Sequence, residues 1–207
     1  MKKWGMILLY AIIAVLVYRY QQEIAGWMGQ ARLVHIPLVI GAATLLALVP
    51  LVPYGVVAGV IGSTYGSLLG GVISLIASSL AAVLMFLLVR YAWAEQGRAY
   101  LARFEKIDRF TRMVEQNAFS SVLLARLIPV MPAAMINIYA ALSRMSLAAF
   151  SAATVIGKLP VMMVFAFVGD QLFTDWVSAV TVAAIYAMFL AIVLLAYRRQ
   201  TSDAPDK

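Results

Sequence analysis

Residues 67–89, "SLLGGVISLIASSLAAVLMFLLV", hold no charged side chain. A helix that crosses the hydrocarbon core of a bilayer needs about 20 predominantly apolar residues, and this run supplies them. Composition extends the point to the whole chain. Of its 207 residues 64% are hydrophobic and 12% are charged, against about half and about a quarter in a soluble domain. The excess requires lipid as solvent. The runs lack the period-2 alternation of barrel strands, so the chain reads as an all-α integral membrane protein.

Several function classes fall away at once. There is no cysteine, and His35 is the single histidine, so disulfides, thiol catalysis and Cys- or His-based metal sites are excluded. No cofactor is implied. A net charge of +7 raises nucleic acid as a partner. The basic residues flank apolar segments, however, which points to orientation in an anionic membrane instead. No nucleic-acid partner is expected; membrane lipids are. The sequence leaves open whether the chain forms a homo-oligomer.

Five apolar stretches stand out: 4–18, 33–66, 67–89, 118–142 and 145–197. The first follows Lys2 and Lys3 and is succeeded by "RYQQE", with no small-residue cleavage site, so a retained helix is favoured over a signal peptide. The last is interrupted at "GDQLFTDW" by Asp170 and Asp175 and divides into spans near 146–168 and 176–197. Residues 198–207 are polar and are expected to be a disordered tail. Trp4, Trp27, Trp93 and Trp176 fall near expected interfaces, where belt anchoring accounts for them.

The segments 33–66 and 118–142 are each broken by a Pro-x-x-Pro, Pro50 to Pro53 and Pro129 to Pro132. Proline removes a helical N–H and clashes with the preceding turn. The limb from Ala118 to Ile128 would be roughly 16 Å long, about half a hydrocarbon core. Each segment is therefore expected to enter the membrane, turn at its prolines and leave on the same side, a path tolerated only under cover of protein or a water-filled cavity. Charge agrees. With Lys2 and Lys3 cytoplasmic, this topology puts the loop 90–117, Arg144, Arg198 and Arg199 inside, as the positive-inside rule asks. The location expected is the cytoplasmic membrane, multi-pass, with both termini cytoplasmic. The loop 90–117 is amphipathic at helical spacing. It reads either as helix lying on the cytoplasmic face or as a solvated connector, and 20–32 as a shorter interfacial piece outside.

Aligning Pro50 with Pro129, an offset of 79, brings Pro53 onto Pro132, Ala58 onto Asn137 and Arg90 onto Gly169. Each half is a Pro-x-x-Pro hairpin followed by a span, with opposite orientations, and inverted repeats of broken helices are a transporter signature. The expected fold is thus an inverted repeat of two re-entrant hairpins, each followed by a transmembrane helix, over 33–170, plus terminal helices over 1–32 and 176–197.

Three residues are candidates for binding substrate. Arg126 lies at depth, where a charge is costly unless it snorkels, pairs or faces water. It reads either as a phosphate-gripping arginine or as a structural one, bonding carbonyls freed by the prolines or snorkelling to the interface. Lys158, flanked by Gly157 and Pro160 where a bend is expected, reads either as a second cation lining a polar cavity or as a lysine bonded to opened carbonyls. Asn137 reads either as a headgroup-reading amide or as a partner for broken-helix backbone. Pro50, Pro53, Pro129 and Pro132 are hairpin tips, with an indirect role through the backbone N–H groups they expose. Gly55, Gly59, Gly62, Gly66 and Gly70 read as close helix packing. Asp170, 12 residues beyond Lys158, reads as an external interface residue. No nucleophile–base pair, phosphate loop or carboxylate dyad occurs at a useful spacing, and an enzyme is not expected.

Joined together, "PLVPYGVVAGVIGSTYGSLLG", "FLLVRYAWAEQGR", "ARLIPVMPAAMIN", "FSAATVIGKLP" and the closing Gly169 resemble the DedA superfamily, also called SNARE-associated Golgi or VTT-domain proteins, over about residues 33–170. The resemblance implies inverted re-entrant hairpins and movement of lipid across a bilayer: undecaprenyl phosphate recycling or phospholipid translocation in bacterial members, scrambling in eukaryotic ones. Arg126 and Pro129 match the family's arginine–proline motif. The best-studied bacterial branch carries acidic residues in and after the first hairpin, tied to proton coupling. Here residues 24–94 contain no Asp or Glu, which looks like the eukaryotic-like branch. The function expected is a transporter or scramblase for a phospholipid or polyprenyl phosphate, recognised by its anionic headgroup. A small-solute or ion transporter of the same architecture and a non-transporting homeostasis protein are the alternatives.

Overall fold

In a computed structural model of the chain, residues 33–48, 53–101, 107–127, 132–172 and 174–202 are described. The first expected span, 4–18, the interfacial piece 20–32, and Pro50 and Pro129 lie outside these residues. Up to Ile36 the described chain is a 3-10 turn, Leu33–His35. From Pro37 onward it is helical throughout: α1 (Ile36–Leu48), α2 (Tyr54–Tyr65), α3 (Ser67–Tyr91), α4 (Ala94–Leu101), α5 (Ile107–Leu127), α6 (Ala133–Leu142), α7 (Leu147–Gln171) and α8 (Trp176–Ser202).

Among the described residues, three stretches are long and apolar enough to cross a membrane: Ser67–Tyr91, Leu147–Gln171 and Trp176–Val193. At 25 residues each, α3 and α7 are about 38 Å long, with a few turns to spare over a core about 30 Å thick. Their surfaces fit lipid. Leu68, Val72, Ile76, Leu80, Leu84 and Leu88 recur every fourth residue along α3 and are all exposed. A continuous apolar stripe of that length has no place on a water-soluble surface. The opposite face of α3 is made of Gly70, Gly71, Ser74, Ala77, Ser78, Ala81 and Ala82, all buried.

Small residues on that face let backbones meet, which is how helices associate where lipid removes the hydrophobic drive. A Cβ on Gly70 would come within 2.6 Å of Gly62 Cα, and one on Gly169 would collide with the Gly59 backbone. Gly55, Gly59, Gly62 and Gly70 thus pack as the sequence suggests. Gly66 does not belong with them. A Cβ there would meet nothing within 4 Å, but its φ is 82° and it makes the turn from α2 into α3, where a side chain would be strained.

Of the four Pro-x-x-Pro prolines, the two that are described start helices in the same way. Pro53 (φ −60°, ψ 117°) precedes α2 and Pro132 (φ −57°, ψ 135°) precedes α6. Their carbonyls accept from Val56 N at 2.9 Å and Met135 N at 3.0 Å. Proline suits this place, since the first N–H groups of a helix have no intrahelical partner. The helix starts at Tyr54 and Ala133 are 79 positions apart, as are the prolines. α1, α2 and α6, at 13, 12 and 10 residues, are each too short to cross a hydrocarbon core.

Other boundaries differ from expectation. α7 runs through Gly157 and Pro160 as one helix and ends at Gln171, so the bend expected beside Lys158 is not a break, and Asp170 lies in the last turn instead of a loop. α8 continues to Ser202, past the expected end at residue 197; once formed, a helix extends beyond its apolar stretch by adding one backbone bond per residue. α5 leaves helical geometry at Asn117 (φ −150°, ψ 73°), so the piece that carries Arg126 begins at Ala118. Before it, α4 and the first part of α5 show that much of 90–117 is helical.

The α2–α7 crossing sets one test. Gly169→Ala should lower the thermal stability of the detergent-solubilised protein by the equivalent of about 1–3 kcal/mol through overpacking. Gly41→Ala, in α1 with no neighbour within 4 Å, should leave it unchanged or slightly raised.

Candidate functional site

The centre of the bundle is where α3, α5, α6 and α7 meet. Phe86 of α3 and Phe150 of α7 stack there with ring centroids 4.5 Å apart, and both are fully buried. Val122 of α5 and Ile136 of α6 complete this core. The α3–α7 pairing is antiparallel: Phe86 meets Phe150, the Ser78 carbonyl meets Lys158, and Ser67 meets Asp170. Serine 78 and Lys158 both fall near the midpoints of their helices, about 18 Å from either end.

Arg126 reaches this centre from the last turn of α5 and is 8% exposed. Its Nη2 donates to Asn137 Oδ1, and Asn137 Nδ2 donates to Met85 Sδ at 3.4 Å. The guanidinium carbon lies 5.9 Å from the Phe150 ring centre. Glycine at 157 makes the approach possible, because a Cβ there would come within 2.6 Å of Arg126 Cβ. The Nε of Arg126 is buried without a hydrogen-bond partner. Arg126 is thus buried instead of reaching out to an interface, and its hydrogen-bond partner among the described residues is a side chain.

Lys158 follows Gly157 directly, and its Nζ donates to the Ser78 carbonyl of α3 at 2.7 Å. The acceptor belongs to a neighbouring helix and not to the turn opened by Pro160, as one sequence reading had it. Arg126 packs on Gly157, the residue next to Lys158 in the chain. Among the described residues neither Arg126 nor Lys158 has a carboxylate partner. Asn137 serves side chains and not broken-helix backbone. Arg126, Asn137 and Lys158 are therefore brought together around Gly157. Pro53 and Pro132 sit at helix starts.

Two charged residues tie helices together: Arg90, which opens the basic loop expected inside, and Asp170, read from the sequence as an external interface residue. Arg90, in the last turn of α3, donates from Nε to the Ala141 carbonyl at 2.8 Å and from Nη2 to those of Ala140 (3.2 Å) and Ser143 (2.7 Å). These are the free carbonyls at the end of α6, where a cation is also favoured by the helix dipole. Its guanidinium lies 4.3 Å from the Phe86 ring centre. Asp170 Oδ2 accepts from the Ser67 backbone N–H at 3.0 Å and from its hydroxyl, at the start of α3. No local pattern signals either contact, since the partners are about 50 and 103 residues away. Each does sit at the end of an apolar run, and a charge placed there is the available hint.

A family model described as the VTT domain matches residues 49–171. That interval contains Arg90, Arg126, Asn137, Lys158 and Asp170. Over 193 residues the chain is 27% identical to YqeD, an uncharacterized protein of Bacillus subtilis (strain 168), with 92% of this chain and 91% of that one covered. No solved structure matches the chain.

The Arg126–Asn137 contact is open to a double-mutant cycle in detergent unfolding. Asn137→Leu alone should cost about 1.5–3 kcal/mol, the range for a hydrogen bond to a charged group. Arg126→Leu combined with Asn137→Leu should cost less than Asn137→Leu alone, because the stranded charge goes with its partner.

Proposed function

The chain belongs to the VTT-domain family, and on that footing we propose that it is a membrane lipid transporter or scramblase that moves a phosphate-bearing lipid, a phospholipid or polyprenyl phosphate, across the bilayer. The observation that carries this reading is the pair of basic side chains, Arg126 and Lys158, buried at the middle of the membrane-length helices with no carboxylate partner among the described residues. A buried charge without a counter-ion is expensive and is kept for a use.

A phosphate is the ligand that suits the pair. It is anionic, so binding lowers the repulsion between the two side chains. The guanidinium offers a planar fork of donors and the ammonium a compact charge. Crossing a bilayer is difficult for the headgroup and easy for the tail, so a transporter needs polar partners only near the midplane. In this reading the headgroup moves past Arg126 and Lys158 while the acyl or prenyl tail stays in lipid.

The segments around the Pro-x-x-Pro motifs act here as re-entrant hairpins of an inverted repeat. Support comes from helices too short to cross, the shared backbone at Pro53 and Pro132, and helix starts 79 positions apart. Charge supports a cytoplasmic-membrane location with both termini inside.

Proteoliposomes holding the purified protein and a labelled phospholipid or polyprenyl phosphate test the reading. Lipid should redistribute between leaflets faster than in protein-free vesicles, and Arg126→Ala or Lys158→Ala should slow it at least about tenfold, in keeping with loss of one charge-assisted contact. Equal rates with and without protein would sink the proposal. Uptake of water-soluble phosphate without lipid movement would replace the lipid by a solute.

A further inference from the structure

Thr154 stands out among the helical threonines. A threonine in a helix ordinarily satisfies its hydroxyl on the carbonyl one turn back. Thr44 does so on Ile40 at 2.7 Å, Thr64 on Val60 at 2.8 Å and Thr181 on Val177 at 2.7 Å. Thr154 is 0% exposed, and its Oγ1 has no hydrogen-bond partner among the described residues. An unmade hydrogen bond on a buried hydroxyl is destabilising, and a local carbonyl was within its own helix to prevent it.

Its place on α7 gives the reason. Phe150, Thr154 and Gly157 are spaced by four and three residues and so form one stripe. Arg126 lies along that stripe: its Cβ packs on Gly157 and its guanidinium faces Phe150 at 5.9 Å. Thr154 occupies the turn between those two contacts. The Arg126 Nε–H is likewise buried and unpartnered. Two orphan groups on one short stretch, one a donor and one a hydroxyl able to donate, call for a third group that accepts from both.

We infer that Thr154 is a ligand-binding residue of this site, its hydroxyl donating to a phosphate oxygen that also accepts from Arg126 Nε. The inference deepens the headgroup reading above and rests on it for the identity of the anion as a lipid's. The shared chemistry is a phosphate oxyanion, carried by a lipid headgroup or free in solution. Serine at 154 supplies the same donor; valine supplies the same shape without one.

The test is ligand-induced thermal stabilisation of the detergent-solubilised full chain, with two probes: inorganic phosphate and a short-chain phosphatidic acid. Without a probe, Thr154→Val should be as stable as the parent or more so, because it removes an unsatisfied hydroxyl. With a probe, it should need at least about tenfold more ligand for the same stabilisation, the scale of one hydrogen bond to a charged group. Thr154→Ser should behave as the parent, and Thr154→Ala serves as a second deletion should valine fail to pack. Stabilisation by phosphatidic acid alone assigns the anion to a headgroup; stabilisation by inorganic phosphate as well shows that the phosphate suffices. Equal responses of parent and Thr154→Val would overturn the inference, and so would a parent that responds to neither probe. Transport separates the two claims. A parent that binds yet moves no lipid removes the transport reading and leaves Thr154 in place; Thr154→Val that binds like the parent removes Thr154 and leaves transport untouched.

Discussion

The polar contacts at the centre of this bundle depend on how closely α7 approaches its neighbours. α7 runs antiparallel to α3, and small residues mark each approach: Gly71 of α3 meets Met163 of α7, Gly169 of α7 meets Gly59 of α2, and Gly157 of α7 meets Arg126 of α5. In lipid there is no hydrophobic gain from pressing two apolar helices together, so close backbone contact and interhelical hydrogen bonds must hold them. Close packing of α7 on α3 lets Lys158 reach a main-chain carbonyl of α3, and close packing of α7 on α5 lets Arg126 lie against Gly157. A single methyl group at Gly157 would meet Arg126 Cβ at 2.6 Å. Packing and site are thus one constraint, set by the absence of side chains at particular positions.

Charge is distributed with equal economy. At its C-terminal end α3 carries Arg90, which holds the last carbonyls of α6; at its N-terminal end it is held by Asp170 from α7. A cation meets free carbonyls and a carboxylate meets a free N–H, so each contact satisfies groups that helix ends leave open. These charges are matched by what they touch. Among the described residues, Arg126 and Lys158, between them, are matched only by neutral oxygens.

How much of this was legible in the sequence depends on the range of the interaction. The charge-free run 67–89, the small-residue spacing and the prolines are local signals, and they gave α3, the close packing and the starts of α2 and α6. Arg126 and Asn137 are 11 residues apart, across a segment already marked as a turn, and were singled out separately without their contact. Lys158 with Ser78, Arg90 with Ala141 and Asp170 with Ser67 are separated by 80, 51 and 103 residues. Such pairs have no signature in a single sequence, since each partner is a backbone group or a serine, which any position could supply. Thr154 was invisible for a different reason: its distinction is a bond it does not make, and only the positions of its neighbours reveal that.

A buried arginine with one nitrogen idle and a buried threonine with its hydroxyl idle are each destabilising on their own. Together they are informative, because they share a stripe on α7 with the residues that hold Arg126 in place. Neither group takes a partner among the described residues. On the ligand reading proposed above, an anion that accepts from both would recover in binding what the unpaired donors cost in stability, since such contacts are strong in a low-dielectric interior.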